Sequence, residues 1–135
     1  MNNYKNKYKL YTKMELIIDT EIDPDRENVY YLPPENLKQL RFVKPNSFSR
    51  ATIRNCHVTH LTGYTLQSLF NSLAIGSTAT IVIDEPVLVL QDYDANTILA
   101  NAELAGFKNI RTGNQNAFCP GLGTKVETVV ITLTK

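Results

Sequence analysis

The spacing of apolar and polar positions changes along the chain, and the clearest changes lie between Thr65 and Ile110. Leu66, Leu69, Phe70 and Leu73 fall at i, i+3, i+4 and i+7, one apolar helical face. Gly76 breaks that period, and Thr78-Ala79-Thr80-Ile81-Val82-Ile83 follows as a β-branched run, which predicts a strand. So continuous an apolar strand suits the middle of a parallel sheet, with both faces covered. Asp84-Glu85-Pro86 closes it with two carboxylates and a residue that cannot donate to a ladder. A second helix is predicted with Ile98, Leu99, Ala102 and Ala105 on one side and Gly106 at its C-terminal cap. Phe107 to Ile110 opens the next strand. Helix, strand, helix, strand is the repeating unit of an α/β domain.

Upstream, Glu15 to Ile22 reads as a first strand and Asp23-Pro24-Asp25-Arg26 as a turn. Val29-Tyr30-Tyr31-Leu32 reads as a second short strand, ended by Pro33-Pro34. Pro34 suits the first position of a short helix carrying Leu37 and Leu40. One further strand is expected within Ile53 to Leu61. Downstream, Arg111 to Thr124 is rich in Gly, Asn and Thr and reads as a loop turning at Pro120-Gly121. Val126 to Leu133 reads as a last strand, placed antiparallel at an edge of the sheet.

Composition narrows the class. A chain of 135 residues with 43% hydrophobic and 20% charged residues supports one globular domain with a real core. Residues 1 to 13 carry Lys5, Lys7, Lys9 and Lys13 among tyrosines and are read as a flexible basic tail before a single domain over residues 14 to 135. A formal net charge of +1 gives no reason to expect nucleic acid or an anionic membrane as partner. No apolar run approaches the roughly 20 residues of a membrane span, and the first residues lack the apolar core of a signal peptide. A cytoplasmic location is the default expectation. The two cysteines, Cys56 and Cys119, form no Cys-x-x-Cys pair, which argues against a structural zinc or an iron–sulfur cluster held by this chain alone.

Candidate chemistry is sparse. A nucleotide-binding α/β domain carries glycines in its first strand-to-helix turn, where the backbone must approach a phosphate or cofactor. Here the first strand runs into Asp19-Thr20-Glu21-Ile22-Asp23-Pro24, and no glycine precedes Gly63. Gly121-Leu122-Gly123-Thr124-Lys125 resembles a phosphate loop in composition, but a strand rather than a helix follows, so it reads as a hairpin turn. Cys56, His57 and His60 offer thiolate and imidazole groups close together, as metal ligands or as nucleophile and base. No fourth ligand and no oxyanion donor stand nearby in the sequence. Asp84, Glu85 and Pro86 sit beyond the carboxyl end of the central strand, where open α/β sheets bind ligands. Asp92 and Asp94 follow, as further carboxylates of such an edge or as a cap of the next helix.

The helix, the linker Ala74-Ile75-Gly76-Ser77, the apolar strand, the second helix and Leu104-Ala105-Gly106-Phe107 together resemble the second half of a methyltransferase-like fold. Within that group, Ile81-Val82-Ile83-Asp84-Glu85-Pro86-Val87 is similar to the end of the same strand in the anamorsin N-terminal domain, and Val129-Val130-Ile131-Thr132-Leu133 to its last strand. The resemblance implies a domain that has lost much of the cofactor apparatus and serves partner contact in cytosolic iron–sulfur protein assembly, with a diflavin reductase as partner. The cysteine-rich region that holds the clusters in that family has no counterpart here.

The expected fold is therefore α/β, a mostly parallel sheet flanked by helices, similar to a truncated S-adenosylmethionine methyltransferase fold with an antiparallel last strand. The expected function is a non-catalytic interaction module, with no catalytic residue, no cofactor and no metal, and with Asp84, Glu85 and Pro86 as the partner or ligand edge. The rival is a divergent S-adenosylmethionine-dependent methyltransferase, or its non-catalytic subunit. In the rival, Asp19 or Glu21 would hydrogen-bond the cofactor ribose and the Asp84-Glu85-Pro86 edge would face substrate.

Overall fold

The computed structural model describes residues 14–23, 25–84, 95–119 and 124–135. The basic tail expected over residues 1 to 13, Glu85, Pro86, Asp92 and Asp94, and the turn at Pro120 to Gly123 lie outside the described residues. Six strands form one sheet: β1 (Glu15–Ile18), β2 (Val29–Leu32), β3 (Phe48–Arg54), β4 (Leu73–Asp84), β5 (Lys108–Cys119) and β6 (Thr124–Thr134), in the order β2-β1-β3-β4-β6-β5. The first four run parallel, and β6 is antiparallel to both β4 and β5. A 3₁₀ helix over Pro34–Phe42 joins β2 to β3, α1 (Gly63–Ser72) joins β3 to β4, and α2 (Ala95–Ala105) lies between β4 and β5.

The register explains the core. Leu32, Ile18, Ile53, Ile81 and Ile131 stand side by side across five strands, and none is more than 3% exposed. β-Branched side chains fit a pleated surface covered from above, and each one buried contributes about 1.5–3 kcal/mol. The cover comes from Leu37 and Leu40 of the 3₁₀ helix, Leu66 and Leu69 of α1, and Ile98, Ala102 and Ala105 of α2, all in the same apolar cluster. The Thr62 hydroxyl caps α1 by accepting from the Thr65 amide at 3.3 Å. Gly106 ends α2 at φ 112°, with its amide bonded to the Glu103 carbonyl at 3.0 Å and the Phe107 amide to the Ala102 carbonyl at 3.2 Å. That pair of bonds is a Schellman motif, and it sets the chain on course for β5.

Several expectations need correction. β1 stops at Ile18, because the Asp19 carboxylate takes the next two amides and turns the chain. The third strand is Phe48–Arg54 rather than a segment of Ile53 to Leu61; Val58–His60 is a 3₁₀ turn. β4 starts at Leu73, with Gly76 inside it at φ 84°. Arg111 to Cys119 is not loop but the body of β5, which pairs with β6 along its length. The antiparallel last strand is inserted between β4 and β5 instead of lying at the edge.

Both faces of the sheet were expected to be covered, and the second differs from the first. Along β4, Ala79, Ile81 and Ile83 are buried while Thr78, Thr80 and Val82 are half-exposed; along β6, Ile131 and Leu133 are buried while Val130, Thr132 and Thr134 are half-exposed, and Thr128, further along the same second face, is buried. Among the described residues, no helix packs on this second face, and Ile17, which projects from it, stands outside the main apolar cluster.

Candidate functional site

β1 connects leftward to β2, and the chain then returns to place β3 on the other side of β1. That reversal of strand order is where open α/β sheets place their ligands, in the crevice beyond the carboxyl ends of the two strands. Here the two ends are Ile18 and Arg54, and the next residue of each, Asp19 and Asn55, meet across the crevice. Asn55 Nδ2 donates to Asp19 Oδ1 at 2.9 Å. The same oxygen accepts the Thr20 amide at 2.7 Å and the Glu21 amide at 3.3 Å. Asn55 holds φ 53°, a left-handed conformation that asparagine tolerates better than most side chains. A clasp of side chain on side chain thus spans the crevice.

In front of the clasp lies a groove of about 310 Å³, lined by Glu15, Asp19, Glu21, Asp23, Arg26 and Arg54 with Ile17, Tyr31 and Thr52 behind. Small-molecule pockets run from roughly 300 to 1,000 Å³ and are mostly apolar, so this groove is small and unusually charged. Glu15 is held by Arg26 at 2.8 Å and Arg50 at 3.3 Å. Tyr31 donates its hydroxyl to the Asp23 carbonyl at 3.0 Å, which pins the β1–β2 connection over the second face. Among its described residues, no helix intervenes in that connection.

Of the cysteine and histidine group, His57 and His60 meet edge-on with ring centroids 6.3 Å apart, but no ligand set forms with Cys56. Cys56 is buried, its thiol donates to the His57 carbonyl at 3.6 Å, and burial pushes the thiol up to about 12, far from a nucleophile's range. His57 Nδ1 accepts the Thr59 amide at 3.2 Å and meets the Thr59 hydroxyl at 2.6 Å, closing a local turn. No set of three His, Cys, Asp or Glu groups among the described residues could hold a metal ion. Asp84 ends β4, where its backbone pairs with Thr128, at the same end of the sheet as the clasp. No helix among the described residues is long and apolar enough to cross a membrane. The sequence reading considered Asp19 but missed Asn55 and Arg54, which come to the site from a strand whose bounds were misplaced.

No protein-family model matches the sequence, and no curated protein matches it. Solved structures do resemble it. A Haemonchus contortus phosphoethanolamine N-methyltransferase, solved with S-adenosylhomocysteine, is 13% identical with a TM-score of 0.53, over 82% of this chain and 38% of that one. This chain thus spans well under half the length of that enzyme. An S-adenosylmethionine-dependent methyltransferase from Thermotoga maritima is 13% identical with a TM-score of 0.60, over 99% of this chain and 95% of that one. The fold is methyltransferase-like. A spermidine synthase from Thermotoga maritima shares it at 12% identity and a TM-score of 0.61, over 90% of this chain and 56% of that one.

A methyltransferase-like fold raises the question of S-adenosylmethionine, and the residues present do not fit it. A nucleoside cofactor in a crevice of this kind needs close backbone approach after the first strand, which glycine permits. It also needs a carboxylate for the ribose hydroxyls at the end of the second. After β1 stands Asp19, whose Oδ1 is already shared among three N–H donors. After β2 stand Pro33 and Pro34, which bring neither a carboxylate nor an amide N–H. Asp19 and Glu21, the ribose partners of the enzyme reading, both follow β1 and not β2. Asn55→Ala is expected to lower stability by about 2 kcal/mol, from a lost charge-assisted bond and a left-handed backbone that alanine resists. Asn55→Gly, which relieves only the backbone term, should lose less. Urea denaturation of both variants measures the difference, and equal losses would show that the side-chain bond alone matters.

Proposed function

We propose that this chain is a non-catalytic interaction module of methyltransferase-like fold. The observation that carries the reading is the Asp19–Asn55 clasp, which spans the crevice where such a fold would hold a ligand and engages its Asp19 carboxylate. The poor fit of the β1 and β2 ends to S-adenosylmethionine supports it. The finer reading follows the resemblance of Ile81–Val87 and Val129–Leu133 to the anamorsin N-terminal domain. In that reading the module works in the cytoplasm, in iron–sulfur protein assembly, and its partner is a diflavin reductase. Asp84, which ends β4, and Glu85 and Pro86, which follow it in the sequence, form part of the contact edge.

The second reading, a divergent S-adenosylmethionine-dependent methyltransferase or its non-catalytic subunit, is favoured by one observation: the Thermotoga maritima methyltransferase matches nearly from end to end. A titration of S-adenosylmethionine and S-adenosylhomocysteine followed by amide chemical shifts separates the two. The module reading expects no saturable shift at millimolar ligand. Saturable shifts gathered at Asp19 to Asp23 and at Asn55 would overturn it and establish the crevice as a cofactor site.

A further inference from the structure

We propose that the second face of the sheet receives an amphipathic helix from a protein partner, with acidic residues along the helix flanks. The proposal rests on the interaction-module reading and names the surface through which the module would act. Doubly wound sheets carry helices on both faces; here all the described helices share one cluster on the first face, and the second is left half-exposed.

The register lays out this second face row by row. Arg50, Thr78, Thr134 and Lys108 stand in one row, Thr52, Thr80, Thr132 and Arg111 in the next, and Arg54, Val82, Val130 and Gly113 in the third. The floor is therefore threonine and valine, whose methyl groups suit an apolar helix stripe, on the two central strands β4 and β6. The rims are basic: Arg50 and Arg54 on β3, Lys108 and Arg111 on β5, all exposed. Four acidic side chains, Glu15, Asp19, Glu21 and Asp23, line the groove beside Thr52 and Arg54 at one margin of this face; Glu15 is engaged by Arg26 and Arg50, and Asp19 by Asn55. Arg54, Lys108 and Arg111 make no hydrogen bond or ion pair among the described residues. β3 and β5 lie three strand spacings apart, roughly 14 Å at ~4.8 Å each, and a helix with its side chains is about 10–12 Å across. A helix laid along β4 and β6 would therefore place its flanks beside both rims, and Asp or Glu there would complement the cations.

Charge and composition also choose between occupants. A second copy of the same face would set Arg against Arg and Lys, which repels. Single-stranded nucleic acid would need aromatic platforms for its bases, and the three rows contain none.

The test uses two synthetic helical peptides with the same apolar stripe, one flanked by Glu and one by Lys, titrated into the full chain. The Glu peptide is expected to bind saturably, to weaken as salt rises, and to shift the amides of Thr78 to Val82 and Val130 to Thr134. The Lys peptide should bind roughly tenfold more weakly, and the folded double variant Arg54→Glu/Arg111→Glu should lose roughly tenfold for the Glu peptide, as two exposed charge pairs would give. Equal binding of the two peptides, no saturable binding, shifts on α1 and α2, displacement of the Glu peptide by an RNA oligonucleotide, or self-association that blocks it would each overturn the proposal. These outcomes are distinct from failure of the module reading, which a positive S-adenosylmethionine titration alone would show.

Discussion

Ile81→Asp is expected to leave the chain unfolded at room temperature. Ile81 is fully buried at the centre of the isoleucine row, between Ile53 on β3 and Ile131 on β6. The substitution removes about 1.5–3 kcal/mol of apolar burial. It also places a carboxylate where no donor waits, at several kcal/mol more even after the group takes up a proton. Domains of this size are stable by about 5–15 kcal/mol, so the loss is comparable with the whole. Circular dichroism and amide shift dispersion would report it. A cooperative melt at the wild-type temperature would mean that β4 is not the central strand. Val82→Asp, one residue along on the half-exposed face, serves as the contrast and should remain folded.

Gly106→Ala should lower stability by about 3 kcal/mol, combining left-handed backbone strain of ~1–2 kcal/mol with overpacking of ~1–3 kcal/mol. Both sources are visible. Gly106 holds φ 112°, and a Cβ there would stand 3.1 Å from Phe70 Cζ. Phe70 cannot retreat easily: its ring meets Phe107 edge-on at 5.2 Å between centroids, and Lys135 Nζ lies 4.8 Å from its own centroid. Lys135 is in turn fixed by the Leu73 carbonyl at 2.8 Å and Asn46 Oδ1 at 3.0 Å. For a chain between the size classes of calibrated domains, the loss should lower the melting temperature by roughly 10 °C. Gly76→Ala makes a matched control, because its φ is 84° but nothing stands within 4 Å of the added carbon. It should cost the backbone strain alone. Equal losses at both glycines would show that the Phe70 contact is unimportant.

The helices and the central strand were legible because their apolar periods are long and local. Leu66 and Leu69 announce α1, Ile98 and Ala102 announce α2, and the run from Thr78 to Ile83 announces the second half of β4. β5 was not legible. Asn109, Arg111, Thr112 and Gly113 are exposed and carry no apolar alternation; their strand conformation comes from pairing with β6, which no local signal encodes. β3 was displaced because Arg50 and Arg54 interrupt its apolar residues, and they do so because they project from the less covered face. At the crevice, the missing glycine was read directly from the chain. The clasp was not, since Asp19 and Asn55 are 36 residues apart and meet only through the pairing of β1 with β3.

The insertion of β6 between β4 and β5 also sets the order in which the protein can come to exist. During synthesis the parallel strands β1 to β4 leave the ribosome first, and β5 follows them with no partner in the sheet. Only when residues 124–134 emerge can β5 be joined to the rest, because β6 is its neighbour and the neighbour of β4 at once. At translation speeds of about 5–20 residues per second, β4 waits with an open, β-branched edge for several seconds. That interval exposes the nascent chain to aggregation, and factors that shelter hydrophobic strands during translation would act then.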